Sequence, residues 1–270
     1  MPSTTIRTRG ADLIVSDVGS GEPAFVFLHY WGGSARTWGP VIARLPPAVR
    51  AVAIDQRGWG GSRVTDGRYD LDALAEDVMA VAAALGLSRY VIVGHSMGAK
   101  VAQLVASQTP VGLAGLVLVA PAPPQPMRVP AGVRAGMLAS YQSRAGVMEA
   151  LQVLGGAALS AAHRDEVIDD TLRGTPEAKR VWPERGMTAD LEAAVAGLRL
   201  PVEVLVGAND VVERPSVLQP LFSRLFPQAR FTVIPGAGHL LPLETPHAIA
   251  DSCMRLRGTL QADPTVAADA

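Results

Sequence analysis

The 270-residue chain has a single cysteine, Cys253. It can therefore form no internal disulfide and no cysteine-rich zinc site. Its five histidines are scattered and show no metal-ligand spacing such as His-Glu-x-x-His. Charge of one sign is also missing: 24 Lys and Arg face 25 Asp and Glu, for a net charge of −1. So even a balance gives no electrostatic footprint for nucleic acid or an anionic membrane surface. No apolar run approaches the ~18 residues of a membrane span. The richest, residues 111–124, is interrupted by Gly and Pro. The opening Met-Pro-Ser-Thr-Thr-Ile-Arg lacks the apolar stretch of a secretory signal. Together these absences read as a soluble, cytoplasmic protein that needs no metal and no cofactor; a homo-oligomer is left open.

What is present is a globular composition, 49% hydrophobic and 18% charged, rich enough in apolar residues to argue against disorder. Short β-rich runs alternate with Ala/Leu-rich helical ones. Residues 3–9 and 11–18 read as a hairpin. Nearly continuous apolar strands follow at 24–29, 50–54, 90–93, 113–119, 202–206 and 230–234, as expected where both sheet faces are covered. Helical patterns lie at 71–85, 97–108, 217–226 and 246–260. The expectation is an α/β fold: a mostly parallel, eight-stranded sheet with helices on both faces and its ligand site at the carboxyl ends of the strands. Residues 121–190 break the alternation. They open on Pro121-Ala-Pro-Pro-Gln-Pro126 and continue as helical patterns at 131–141, 143–154, 161–173 and 176–182. This segment is expected to be an inserted helical cap between a first core part, 1–120, and a second, 191–270. The small, polar tail after Leu260 is expected to fray.

Three carboxyl-edge loops carry chemistry. Gly94-His95-Ser96-Met97-Gly98 lies between a strand and a helix. The spacing alone can arise by chance; the strand–turn–helix context is what presents Ser96 on a sharp, strained turn. A hydroxyl is a weak nucleophile without an adjacent base. His239, in Gly236-Ala-Gly-His239, follows the strand ending at Ile234 and supplies one. A carboxylate must then fix the imidazole tautomer. Asp210, in Gly207-Ala-Asn-Asp210, is placed for it, with Glu213 a weaker rival. A developing oxyanion needs two backbone donors. Met97 N–H is one, and Trp31 N–H, with Tyr30 as fallback, is the other.

His29-Tyr-Trp-Gly-Gly33, Asp55-Gln-Arg-Gly-Trp-Gly-Gly-Ser62 and the three motifs above occur in the order seen in α/β hydrolases, and over about 20–260, apart from the cap, the chain resembles that superfamily. Within it, the chain is similar to the compact bacterial esterase, lactonase and cofactor-free haloperoxidase (perhydrolase) group. The resemblance implies the α/β-hydrolase fold and a Ser96–His239–Asp210 triad acting through an acyl-enzyme. It differs in one place: Tyr30 stands where the family's oxyanion loop has glycine. Serine at 96 separates the chain from the dehalogenases and epoxide hydrolases of this fold, which use aspartate there. Arg57 and Asp55 read as braces of the site.

The substrate is expected to be a small or medium apolar ester or lactone. Tyr30, Trp31, Met137, Tyr141, Met148, Leu151, Trp182, Met187 and Leu240 are candidates for its pocket, with Trp38 and Trp59 extending an aromatic wall. Lys100 and Gln103 read as solvated or helix-packing. Alternatives keep the site and change the reaction, to perhydrolysis, C–C cleavage or acyl transfer. The remaining reading is a non-catalytic ligand receptor on the same scaffold.

Overall fold

The computed structural model describes residues 2–155 and 159–262. The expected fraying after Leu260 concerns mainly residues 263–270, which lie outside the described residues; 261 and 262 are helical.

Strands β1 (Ser3–Arg7) and β2 (Ala11–Val18) form the expected antiparallel hairpin. Then come β3 (Gly21–Leu28), α1 (Gly39–Ile42), β4 (Val49–Ile54), β5 (Arg63–Val64), α2 (Leu71–Ala84), β6 (Tyr90–His95), α3 (Met97–Ser107) and β7 (Leu113–Val119). Four helices follow: α4 (Ala131–Ser140), α5 (Arg144–Val153), α6 (Ala161–Arg173) and α7 (Pro176–Glu184). After the short α8 (Glu192–Val195), the chain returns through β8 (Val202–Gly207), α9 (Pro215–Leu225), β9 (Arg230–Ile234), α10 (Leu241–Glu244) and α11 (Pro246–Ala262).

The sheet runs β1-β2-β4-β3-β6-β7-β8-β9. It is antiparallel around β2 and parallel from β4 through β9. Among the described residues, nine strands replace the expected eight. The ninth, β5, meets β2 only through Ala11↔Val64 and Asp12↔Arg63; two residues are too few to leave a period-2 signal in a sequence.

Strand alternation divides the core. Ala24, Val26, Leu28, Tyr90, Ile92, Leu116 and Leu118 pack on the face covered by α2, α3 and α9. Phe25, Phe27, Val91, Val93, Val117 and Val119 pack on the face covered by α1, α10 and α11. Both faces are covered, so the central residues of these strands are apolar in succession. Helix starts follow their caps: Asp70 on α2, Ser143 on α5, Ser160 on α6, and Thr175 followed by Pro176 on α7. Pro246 opens α11, and Thr245 Oγ1, just before it, is buried without a partner among the described residues.

Candidate active site

Ser96 sits at φ 52°, ψ −112°, between the last residue of β6 and the first of α3. Non-glycine residues rarely adopt a positive φ, and holding one there costs about 1–3 kcal/mol. Packing on both sides enforces the turn. A Cβ on Gly94 would lie 2.6 Å from Ala99 Cα, and one on Gly98 would lie 2.4 Å from the Leu28 carbonyl oxygen. Ser96 N–H donates to Val119 O at 3.0 Å, fixing the turn to the neighbouring strand. This is the physical need behind small residues at both positions.

His239 Nδ1 lies 2.8 Å from Asp210 Oδ2, with both side chains buried. Asp210 Oδ1 accepts Val212 N–H and Glu213 N–H, each at 2.8 Å. The carboxylate is thus held at one oxygen and offered to the imidazole at the other. Glu213, the rival acid, makes no bond to His239. Among the described residues its Oε1 is buried without a partner, and burial together with the Asp210 charge pushes its carboxyl well above the ordinary range.

Four hydrogen bonds that sequence reading missed hold the His239 loop. Glu244 accepts Gly238 N–H at 2.6 Å and Leu240 N–H at 3.1 Å, bracketing the histidine. His239 N–H donates to Leu154 O at 3.0 Å. His95 Nε2–H donates to His239 O at 2.8 Å, so the residue preceding the serine positions the histidine loop. Its place inside the Gly-x-Ser-x-Gly motif was the only signal for it.

Burial holds the His95 ring neutral, well below the ordinary imidazole value, and the nearby His239 pushes the same way. The folded chain therefore binds fewer protons there than the unfolded chain once pH falls below about 6.5, and stability drops with pH. Glu213 acts oppositely, because its raised carboxyl takes up a proton more readily in the folded state. Comparison with His95→Gln isolates the histidine. Between pH 7.5 and 5.5, urea denaturation should show wild type losing about 1.4 kcal/mol relative to the variant. A constant difference would contradict a neutral buried His95.

The loop after β3, expected from the sequence to hold an oxyanion donor, is fixed by His29. Its Nε2 accepts Gln56 N–H at 3.0 Å, leaving Nδ1–H to donate to Tyr30 O at 2.7 Å. Gly33 N–H donates to the same oxygen at 3.0 Å. The plane of the 30–31 peptide is therefore set, with Trp31 N–H opposite the held carbonyl. Among the described residues, neither Trp31 N–H nor Met97 N–H donates to a protein acceptor. Asp55 and Arg57 are braces, as expected. Asp55 accepts Ala35 N–H and Gly61 N–H, while Arg57 forks onto Asp77 and reaches Asp66.

Ser96, Glu213 and His239 line one cavity of about 580 Å³. Of the residues the sequence offered for the pocket, Tyr30, Trp31, Met137, Tyr141, Trp182 and Met187 line it. Met148, Leu151 and Leu240 do not. Met148 is 53% exposed, whereas Leu151 and Leu240 are buried in a cluster with Val147, Val167 and Ile168. On α5 it is Glu149, Ala150 and Val153, with Leu154 just beyond, that reach the cavity; helical spacing marks an apolar stripe but not what the stripe faces. Met127, Val129, Val211 and Val212 add further apolar walls. Trp38 and Trp59 are not part of the wall. Trp38 packs on Phe27, with ring centroids 5.1 Å apart, and Trp59 packs edge-on near His29.

Lys100 is not solvated. It is fully buried, and its Nζ donates to Ala189 O at 2.7 Å and Gln125 O at 3.3 Å, the two strands of chain that lead into and out of the helical segment. Burial lowers its ammonium to about 8 against the opposing pull of Glu213 and Asp190. Gln103 packs in the helix interface as expected, donating to Ala99 O and Ala122 O at 3.0 Å each. Among the described residues, no cluster of three or more His, Cys, Asp or Glu is arranged to hold a metal ion, and no helix is long and apolar enough to cross a membrane.

Comparison with known proteins gives the family. The chain is 31% identical to a pimeloyl-[acyl-carrier protein] methyl ester esterase of Edwardsiella ictaluri, over 82% of this chain and 88% of that one. It is 36% identical to a non-heme haloperoxidase of Rhodococcus erythropolis over 46% of this chain and 45% of that one. Its fold superposes on a thermophilic esterase from Thermogutta terrifontis with a TM-score of 0.80 at 23% identity, covering 96% of this chain and 99% of the other. The profile of the alpha/beta hydrolase family matches residues 25–252, and the chain belongs to that family.

Proposed function

We propose that the protein is a serine hydrolase that cleaves a carboxylic ester or lactone of small to medium apolar character through an acyl-enzyme on Ser96. The observation that carries this reading is the buried His239–Asp210 pair at 2.8 Å, opening on the same cavity as a serine held on a strained turn. Residues 121–190 serve as the cap over a core made of 1–120 and 191–270.

Ser96 Oγ attacks the ester carbon and passes its proton to His239 Nε2. Nδ1–H stays on Asp210, whose charge stabilises the imidazolium. The carbonyl electron pair moves to oxygen, which Met97 N–H and Trp31 N–H receive. Collapse expels the alcohol, protonated by His239. A water, deprotonated by the same imidazole, then releases the acid. The apolar walls suit a hydrocarbon acyl or ring group.

The test is covalent. A fluorophosphonate should form one P–O bond to Ser96, with loss of fluoride. Mass spectrometry should find the adduct on the peptide containing Ser96, and turnover of p-nitrophenyl butyrate should cease in parallel. No adduct together with no turnover would refute the reading and favour a ligand receptor. Similarity to a haloperoxidase supports a second reading, in which hydrogen peroxide replaces water as acyl acceptor. Peracid formed from an ester plus peroxide, at rates above those of the acid product, would favour it.

A further inference from the structure

Residues 30–36 are bonded to the helical cap more extensively than to the sheet they leave. Tyr141, just after α4, donates its hydroxyl to Trp31 O at 3.0 Å. Its ring stacks on the Trp31 indole with centroids 3.8 Å apart and planes 14° from parallel. Thr171 on α6 donates to Gly32 O at 3.1 Å, and Trp31 Nε1–H donates to Lys179 O on α7 at 3.1 Å. Asp170 accepts Ser34 Oγ–H at 2.7 Å and Arg36 at 2.6 Å. Gly32 has φ +100°, and a Cβ there would lie 2.7 Å from the Tyr141 ring. The ring of Tyr30 is buried among Val147, Leu151, Val167 and Ile168 of the cap.

The two peptide planes that flank the Trp31 Cα are therefore held by different parts of the molecule. His29 and Gly33 hold the Tyr30 carbonyl from the core side. Tyr141 holds the Trp31 carbonyl from the cap side. We infer that Tyr141 is a positioning residue for the oxyanion hole: its hydroxyl, by holding the Trp31 carbonyl, fixes the 31–32 peptide and with it the Trp31 Cα, so that the Trp31 N–H oriented by His29 and Gly33 is kept in place against the developing oxyanion, and docking of the cap and assembly of the hole are one event. This also accounts for Tyr30 in place of glycine, since its side chain ties the loop to the cap. The inference rests on the serine-hydrolase reading.

Oxyanion donors act on the transition state rather than on bound substrate, so the signature is a loss in kcat with little change in KM. Tyr141→Phe keeps the stacked ring and removes only the hydroxyl. With p-nitrophenyl butyrate, kcat should fall about tenfold and KM should stay within twofold. An alkyl trifluoromethyl ketone supplies the second readout. Ser96 Oγ adds to its carbonyl carbon, the serine proton passes to His239, and the carbonyl pair becomes an oxyanion in the hole. Its inhibition constant should rise by the same factor of about ten. Thr171→Val, which removes the adjacent bond to Gly32 O, should shift both quantities in the same direction and serves if Tyr141→Phe folds poorly. Unchanged kcat and ketone affinity overturn the inference. So does a rise in KM alone, which would make Tyr141 a pocket wall only, and so does a fall in kcat without weaker ketone binding. These failures in an active wild type leave the serine-hydrolase reading standing, whereas a wild type that neither labels with fluorophosphonate nor turns over esters overturns both.

Discussion

Asp210→Asn is expected to lower kcat for p-nitrophenyl butyrate by about 10⁴-fold with little change in KM, the loss characteristic of a wrongly oriented imidazole. The geometry says why asparagine cannot substitute. Asp210 Oδ1 is fixed by two backbone donors, Val212 N–H and Glu213 N–H. An asparagine side chain would keep its carbonyl oxygen there and present its NH₂ to His239. That amide donates to Nδ1 and so places the ring proton on Nε2, the atom that must accept the serine proton. Glu213 offers no substitute, because it makes no bond to the imidazole. Glu213→Gln should therefore keep kcat within about threefold of wild type. A variant Asp210→Asn retaining a tenth of wild-type activity would mean that another group orients the histidine.

Ser96→Ala is expected to lower turnover by at least ~10⁴-fold and to abolish fluorophosphonate labelling, because loss of the nucleophile removes the acyl-enzyme route entirely. A companion variant separates chemistry from fold. The backbone at 96 has φ 52°, a conformation that glycine adopts at no steric cost. Ser96→Gly should be as inactive as Ser96→Ala and more stable than it by about 1 kcal/mol. Thermal or urea unfolding of the pair gives the difference. Equal stabilities would show that the turn is not strained, and retained activity in either variant would displace Ser96 from the mechanism.

How much of this could be read from sequence depended on how local the governing interaction is. Strands β3, β6 and β7 were legible because burial on both faces gives their central residues an apolar run without alternation. Helices α4 to α7 were legible because periodicity is a local signal, joined in α5, α6 and α7 by a side-chain cap. The positions of Ser96, His239 and Asp210 followed from each lying just past a strand, which brings them to one sheet edge whatever the loops do. Strand β5 left no signal because two residues carry no period.

The lining of the cavity was legible only in part. Met148 and Leu151 share the apolar spacing of α5, yet one faces solvent and the other a buried cluster. Lys100 reads as a surface lysine until two backbone carbonyls close over it. The order of elements and the placement of Ser96, His239 and Asp210 just past their strands were set by the sequence alone, through rules that act within a strand or a turn. Which carbonyl Tyr141 holds, which carboxylate the imidazole meets and which helix face turns to the cavity were decided by tertiary packing. Trp31 and Tyr141 are 110 positions apart, and no local pattern carries information across that span.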